Sequence, residues 1–297
     1  MTYPEREYRA LPGLSGTQIK TMLRSPAMLN VPVEVTDAMR MGTAMHLLAL
    51  SEGADLVCIS EVTKNAGKAN AEQVECNDWT LADAKQRREA EEAKGYTVVN
   101  HAEAETLQAM LDALHRHEAA ATILFGDDGE NEVALTWDVE GTPCKGRLDR
   151  IWAGRVVDLK TIAIRDGEFE DACHKAIGTY GVHFQLCHYR LGLERSREGH
   201  PLDLPPVVIY VEKETPHRVA VIELSPADVM QGLEGCFEAY RRYADCTEAG
   251  AWPDGSPEGI QKSRIPQWSW RAWDKAINGG PYGASETIAA LEELIGD

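Results

Sequence analysis

Four side chains in the stretch from Asn131 to Thr161, NEVALTWDVEGTPCKGRLDRIWAGRVVDLKT, are of types that do chemistry together: the acids Glu132, Asp149 and Asp158, and Lys160 two residues beyond the last. Carboxylates held close repel one another and do not stay ionised together without a counter-charge. A divalent cation supplies that charge. Sets of hard oxygen ligands suit magnesium, with manganese as a substitute, and a neighbouring lysine suits a developing negative charge or a water nucleophile. The chemistry requires the acids to meet, so it rests on the elements that hold them.

The stretch alternates with the two-residue period of half-buried strands, and Glu140-Gly141 and Ala153-Gly154 fall where two-residue hairpin turns sit. Three antiparallel strands are predicted. A first loop at Glu140-Gly141 sets Glu132 opposite Asp149, and a second at Ala153-Gly154 sets Asp149 opposite Asp158, with neighbouring side chains about 5 Å apart at Cβ. Lys160 points to the same face as Asp158. A single bulge would break this alignment.

The whole chain fits one soluble domain. Its 297 residues are 43% hydrophobic and 26% charged, ordinary values for a globular protein able to bury one large core. Thirty basic residues against forty-eight acidic ones give a net charge of -18, which excludes a generally basic nucleic-acid-binding surface and leaves room only for a local basic channel. The seven cysteines, at 58, 76, 144, 173, 187, 236 and 246, form no CxxC pair. With an odd count and a polar, charged start, MTYPEREYRALPG, they predict reduced thiols in the cytoplasm, neither a disulfide framework nor a zinc site. No apolar run is long enough to span a bilayer, so no membrane partner is expected.

Along the chain, Ser15 and Gln18 make a capping box that opens a helix ending near Ser25-Pro26. A helix over 37–50 puts Met41, Ala44, Met45 and Leu48 on its apolar stripe and His46 off it, one turn after Gly42. Residues 61–95 turn polar and are expected to be an insertion or a mobile segment, with Lys64 and Lys68 able to touch phosphate. Asn100 and Glu103 cap a further amphipathic helix through Leu107, Met110, Leu111 and Leu114. After Thr161 a polar connection leads to a helix over about 180–197, where Gln185 and Tyr189 share a face. Two apolar strands, 206–213 and 217–224, and a helix opened by Ser225-Pro226 follow. Trp252, Trp268, Trp270 and Trp273 mark residues 251–297 as a C-terminal wrap or a protein contact.

With these pieces placed, the sequence resembles the RecE-type exonucleases (exonuclease VIII) of the PD-(D/E)XK, RecB-like nuclease superfamily. The matching residues are LPGLSGTQIKTMLRSP near the start, GTAMH ending at His46, CKGRLDRI with Asp149, VVDLKT with Asp158 and Lys160, and QLCHY from Gln185 to Tyr189. They cover residues from about 8 to about 245. The resemblance implies an α/β (α+β) core, a mixed central sheet flanked by helices.

By the same resemblance His46, Asp149, Asp158 and the Leu159 carbonyl are metal ligands and Lys160 positions or activates the attacking water. Glu132 stands where relatives often carry an additional acid, and Gln185 and Tyr189 match the Q-x-x-x-Y element that steadies the site. The superfamily's usual glutamate before x-Lys is here Asp158, a departure shared with the exonuclease VIII branch. Ser25 stands where iron-sulfur relatives carry their first cysteine, so no cluster is expected. The implied activity is magnesium-dependent digestion of one strand of linear double-stranded DNA, 5' to 3', in phage-type recombination. The implied partners are a ring of identical subunits, trimeric or tetrameric, and a single-strand annealing protein in a bacterial cytoplasm. Lys145, Arg147 and Lys20 are the candidate channel residues. Two other readings compete with this one: a relative that acts on single strands or cuts internally, and a non-catalytic DNA-binding or assembly protein of the same fold.

Overall fold

The computed structural model of the chain describes residues 5–51, 53–164, 167–197, 202–257, 259–264, 266 and 269. Residues 1–255 form one unit and residues 256–297 a second. Trp268, Trp270 and Trp273, on which the expected C-terminal wrap rests, lie outside the described residues. Trp252 belongs to the first unit, where its ring meets Tyr243 edge-on at 5.8 Å.

The first unit opens with α1 (Glu5–Ala10), α2 (Gly16–Arg24), a short 3-10 turn and α3 (Asp37–Leu50). The α2 capping box forms as predicted, with Ser15 Oγ accepting from the Gln18 N–H and Gln18 Oε1 accepting from the Ser15 N–H. α3 spans the predicted range and is capped by Thr36, whose hydroxyl accepts the Met39 N–H at 3.3 Å.

Where an insertion or mobile segment is expected, the chain folds back on itself. β1 (Leu56–Ile59) runs into the hairpin of β2 (Glu61–Lys64) and β3 (Glu72–Glu75), then α4 (Ala82–Glu92) and β4 (Thr97–Asn100), which pairs with β1 in parallel. Ile59, Val62, Cys76, Ala84 and Val98 give these elements a small core of their own. Next come α5 (His101–Arg116), opened by the Asn100–Glu103 capping box, and α6 (Glu118–Phe125).

The meander follows as β5 (Gly129–Val139), β6 (Thr142–Trp152) and β7 (Arg155–Ile162). Both turns have two successive residues with positive φ, 52° and 87° at Glu140-Gly141 and 48° and 80° at Ala153-Gly154. This is the type I′ geometry whose twist matches the strands it joins. α7 (Phe169–Thr179) occupies what reads in the sequence as a polar connection, and α8 (Val182–Ser196) carries Gln185 and Tyr189. β8 (Val207–Glu212), β9 (Val219–Glu223) and α9 (Pro226–Ala249) complete the unit.

The main sheet has the order β5-β6-β7-β8-β9, with β7 and β8 parallel and the other neighbours antiparallel. Helices cover both of its faces. Met45 of α3, Leu107 and Met110 of α5 and Leu124 of α6 pack with Val157, Leu159 and Ile209. On the other side, Ile177 of α7 and Leu186 of α8 pack with Leu148, Val208 and Tyr210. β8 is buried at all six positions, as the near-continuous apolar run of a doubly covered strand requires. The fold is a mixed α/β sheet flanked by helices, and it clamps β7 between α3 and α8.

Candidate active site

The register predicted for β5 and β6 holds over the strand: Val133 pairs with Leu148 and Asn131 with Arg150. Between these pairs, Glu132 takes φ +54°, a left-handed conformation rare for a residue with a side chain, and it drops out of the ladder opposite Asp149. Leu148 and Ile151, three residues apart, both enter the core under α8. Alternation therefore shifts phase at this point while the register on either side survives. Backbone strain of this kind collects at functional sites.

The pairing of β6 with β7 follows the predicted register at Trp152–Arg155, Ile151–Val156 and Arg150–Val157 and then stops. The expected facing pair of Asp149 and Asp158 is thus not part of the ladder. Instead Asp149 Oδ2 accepts the Leu159 N–H at 2.8 Å, so a carboxylate replaces the strand partner. The row of three adjacent acids predicted from pairing is corrected to two groups.

In the first group His46, Glu132 and Asp149 present one ligand atom each, all within 4.8 Å of one another. His46 Nδ1 lies 3.3 Å from Asp149 Oδ1 and Nε2 lies 2.6 Å from the Leu159 carbonyl oxygen. Burial opposes charge on the ring, but the Asp149 carboxylate outweighs it and raises the His46 pKa. Burial likewise pushes Asp149 up, and His46, Lys160 and the Leu159 N–H together hold it below the usual carboxylate range. Burial and the Asp149 charge push Glu132 up to about 7, with His46 acting the other way, and the Glu132 carboxylate touches the Arg147 guanidinium.

The second group is built on β7 and α8. Asp158 is fully buried, and Lys160 on the same face places Nζ 2.8 Å from Oδ1 and 2.7 Å from Oδ2. Gln185 Nε2 donates to Asp158 Oδ1 at 3.2 Å and to the Tyr189 hydroxyl at 3.3 Å. Gln185 Oε1 accepts from Lys20 at 3.3 Å. Burial raises the Asp158 pKa and Lys160 opposes it. For Lys160 burial works against charge, but Asp158 and Asp149 outweigh it and keep the side chain an ammonium ion. Gly16, the first residue of α2, abuts this group; a Cβ there would lie 2.8 Å from Gln185 Cγ and 3.2 Å from Tyr189 Cε1.

The donors fit a hard divalent cation. They are carboxylate oxygens, one main-chain carbonyl and one imidazole nitrogen. A cation bound at His46 would take the place of a proton on the ligating ring nitrogen.

The basic residues expected to meet DNA divide. Lys20 is next to the site. Arg147 pairs with Glu132. Lys145 is taken up by the main chain, donating to the carbonyls of Arg9 at 3.0 Å and Leu11 at 2.5 Å, where it fastens the segment after α1. Lys64 pairs with Glu72 at 3.3 Å in the β2–β3 hairpin, and Lys68 is exposed in its turn. Sequence reading missed the Glu132–Arg147 pair, although register alone puts Arg147 two positions before Asp149 on β6.

The model of the PDDEXK-like domain of unknown function (DUF3799) matches residues 15–262. Among solved structures, a protein from Eubacterium rectale assigned as an exonuclease is similar over 92% of this chain and 99% of its own, at 14% identity and a TM-score of 0.58. A phage-related exonuclease from Haemophilus somnus 129PT overlaps 82% of this chain and 100% of its own, at 11% identity and a TM-score of 0.34, too slight an overlap to bear on the fold. No curated protein matches the sequence.

Proposed function

The chain belongs to the DUF3799 family of PDDEXK-like domains, and from that premise we propose that it is a metal-dependent exonuclease hydrolysing phosphodiesters of linear double-stranded DNA. The observation that carries the proposal is the meeting, around Leu159, of His46 and Asp149 on one side with the Asp158–Lys160 pair on the other.

His46, Glu132, Asp149, Asp158 and the Leu159 carbonyl would hold the ion, with magnesium as the natural occupant and manganese as its substitute. When bound, the cation polarises the phosphate and lowers the pKa of a water. Lys160 stays protonated and so is no base. It sets a positive charge where negative charge grows on the phosphate oxygens, and it orients the water. Gln185 holds Asp158 in place and is itself braced by Tyr189. Attack of water oxygen on phosphorus breaks the bond to the 3' oxygen, leaving a 5'-phosphate and a 3'-hydroxyl and releasing one proton to solvent.

The finer reading is 5'-to-3' digestion of one strand by a trimeric or tetrameric ring, feeding a single-strand annealing protein in phage-type recombination in a bacterial cytoplasm. A ring reconciles a net charge of -18 with a DNA substrate, because an acidic exterior can surround a channel lined by few cations. Among the described residues no helix is long and apolar enough to cross a membrane.

The test is linear duplex DNA labelled at one end or the other, incubated with and without magnesium beside closed circular DNA. Mononucleotides released only with magnesium, from the 5' labelled end first, with circles left intact, are expected. Nicked or linearised circles would indicate internal cutting, and no cleavage under any metal would indicate a binding protein. Sedimentation of the full chain tests the ring.

A further inference from the structure

Lys20 also lines a cavity of about 400 Å³ between α2, the end of α7, the start of α8 and α9. That volume is in the range of sites for small molecules. Phe184 contributes its ring, and Gly178, Gly181 and Gly235 contribute wall without side chains. A Cβ at Gly235 would lie 2.3 Å from Phe184 Cε1, and one at Gly181 2.9 Å from Phe184 Cδ2. The two glycine backbones therefore fix the ring. At Gly178 an added Cβ would meet nothing within 4 Å, so the cavity is open there.

Charge is unevenly spread around this apolar slot. Lys20 and Arg24, four apart on α2, present cations from one side, Lys20 donating to Gln185 Oε1 and Arg24 to the Thr179 carbonyl at 3.1 Å, and Gln231 and Glu234 present polar groups from α9. Glu238, also on α9, is committed to Arg241 and Arg242. A ligand suited to such walls is flat, apolar on its faces, anionic at one end and able to donate hydrogen bonds at the other. The slot also adjoins the candidate active site, because Lys20 donates to Gln185 and Gln185 to Asp158.

We propose that this cavity receives one nucleobase of the substrate strand, stacked on Phe184, with its phosphate toward Lys20 and Arg24 and its edge toward Gln231 and Glu234. The assignment rests on the nuclease reading and adds a place where the strand is gripped beside the cleaved bond. Stacking is tolerant of sequence, so the slot anchors without selecting a base strongly.

The test titrates the full chain by calorimetry with dAMP, dTMP and deoxyribose 5-phosphate, and repeats the titrations with Gly178→Trp, which fills the open end. Both nucleotides are expected to bind about tenfold or more tighter than the sugar phosphate, an advantage that Gly178→Trp removes. The same variant should raise KM for DNA more than it lowers kcat. Equal binding of nucleotide and sugar phosphate, or unchanged nucleotide binding in a folded Gly178→Trp, overturns the proposal. Should that variant not fold, the exposed pair Gln231→Ala and Glu234→Ala is read instead, with weaker dAMP binding expected and unchanged binding fatal. Cleavage of DNA without base-dependent binding defeats the cavity alone. Base-dependent binding without metal-dependent cleavage defeats the nuclease reading and leaves a nucleotide site.

Discussion

Asp149 accepts the main-chain N–H of Leu159 through Oδ2 at 2.8 Å, at the point where the β6–β7 ladder ends. The same carboxylate faces His46 through Oδ1. One side chain thus ends a strand pairing and contributes to a candidate metal group, and these two tasks separate by substitution. Asp149→Asn can still accept the N–H but brings no charge, so it should keep the melting temperature near wild type and lose about a hundredfold or more in cleavage. Asp149→Ala should lose the activity and also about 1–3 kcal/mol of stability, because the Leu159 N–H is left unpaired. Urea unfolding of the two variants side by side checks the split.

Lys160 is the counter-charge of a carboxylate with no exposure to solvent. Lys160→Met should abolish cleavage and destabilise the fold by about 3–5 kcal/mol at neutral pH, the cost of leaving a buried charge unpaired. Burial already raises the Asp158 pKa, and removal of Lys160 raises it further. A carboxyl raised in the folded state favours folding below its unfolded pKa, and that contribution is lost as pH rises through the folded value. The variant's deficit should therefore shrink as the pH falls from 8 toward 5, measured by urea unfolding against wild type. A deficit independent of pH would remove the buried-pair interpretation.

The meander was legible in the sequence because its signals are local. Glu140-Gly141 and Ala153-Gly154 fix the turns, and the turns fix the register. Capping residues such as Ser15, Asn100 and Ser225 likewise announce their helices within three positions. What stayed hidden depends on distant partners. The parallel pairing of Leu56–Ile59 with Thr97–Asn100 joins segments with a hairpin and a helix between them. The run EAAATILF of α6 and the amphipathic helix of Phe169–Thr179 carry weak start signals, as their caps His117 and Glu168 are not among the preferred residues. In the site, Asp149, Asp158, Lys160, His46 and Gln185 were all named from their motifs. The left-handed turn at Glu132 and the capture of Lys145 by the carbonyls of Arg9 and Leu11 were not, because neither has a sequence signature.

His188 gives a pH response separate from the chemistry. It is fully buried, its Nε2–H donating to the Lys145 carbonyl at 3.1 Å and its Nδ1 accepting from the Tyr240 hydroxyl at 2.8 Å, so the neutral ring is satisfied. Burial lowers its pKa from 6.5 to about 4. The unfolded chain then binds one more proton than the folded chain between these values, and stability rises with pH across that window. On going from pH 7 to pH 4 the loss from this residue should be on the order of 3 kcal/mol. Urea unfolding of wild type and His188→Gln over this range checks it, since the variant should lose that part of the slope.

Gly16 tests whether Gln185 acts by holding Asp158. Its backbone needs no glycine for conformation, and its small size matters because a Cβ would press on Gln185 Cγ and on the Tyr189 ring. The Gln185 side chain is the flexible partner, so it is the one that moves, taking its amide away from Asp158 Oδ1 and from Lys20. Gly16→Ala should lower cleavage about tenfold while changing stability by less than about 1 kcal/mol, an effect carried by position and not by folding. In a Gln185→Ala background the hydrogen bonds are already gone and the space is open. There the same substitution should change cleavage by no more than about twofold, the non-additivity expected of residues acting through one contact. Measuring kcat for the four proteins of this cycle decides the matter: additive losses would mean that Gly16 acts through Tyr189 or the helix start, and that the grip of Gln185 on Asp158 does not govern the reaction.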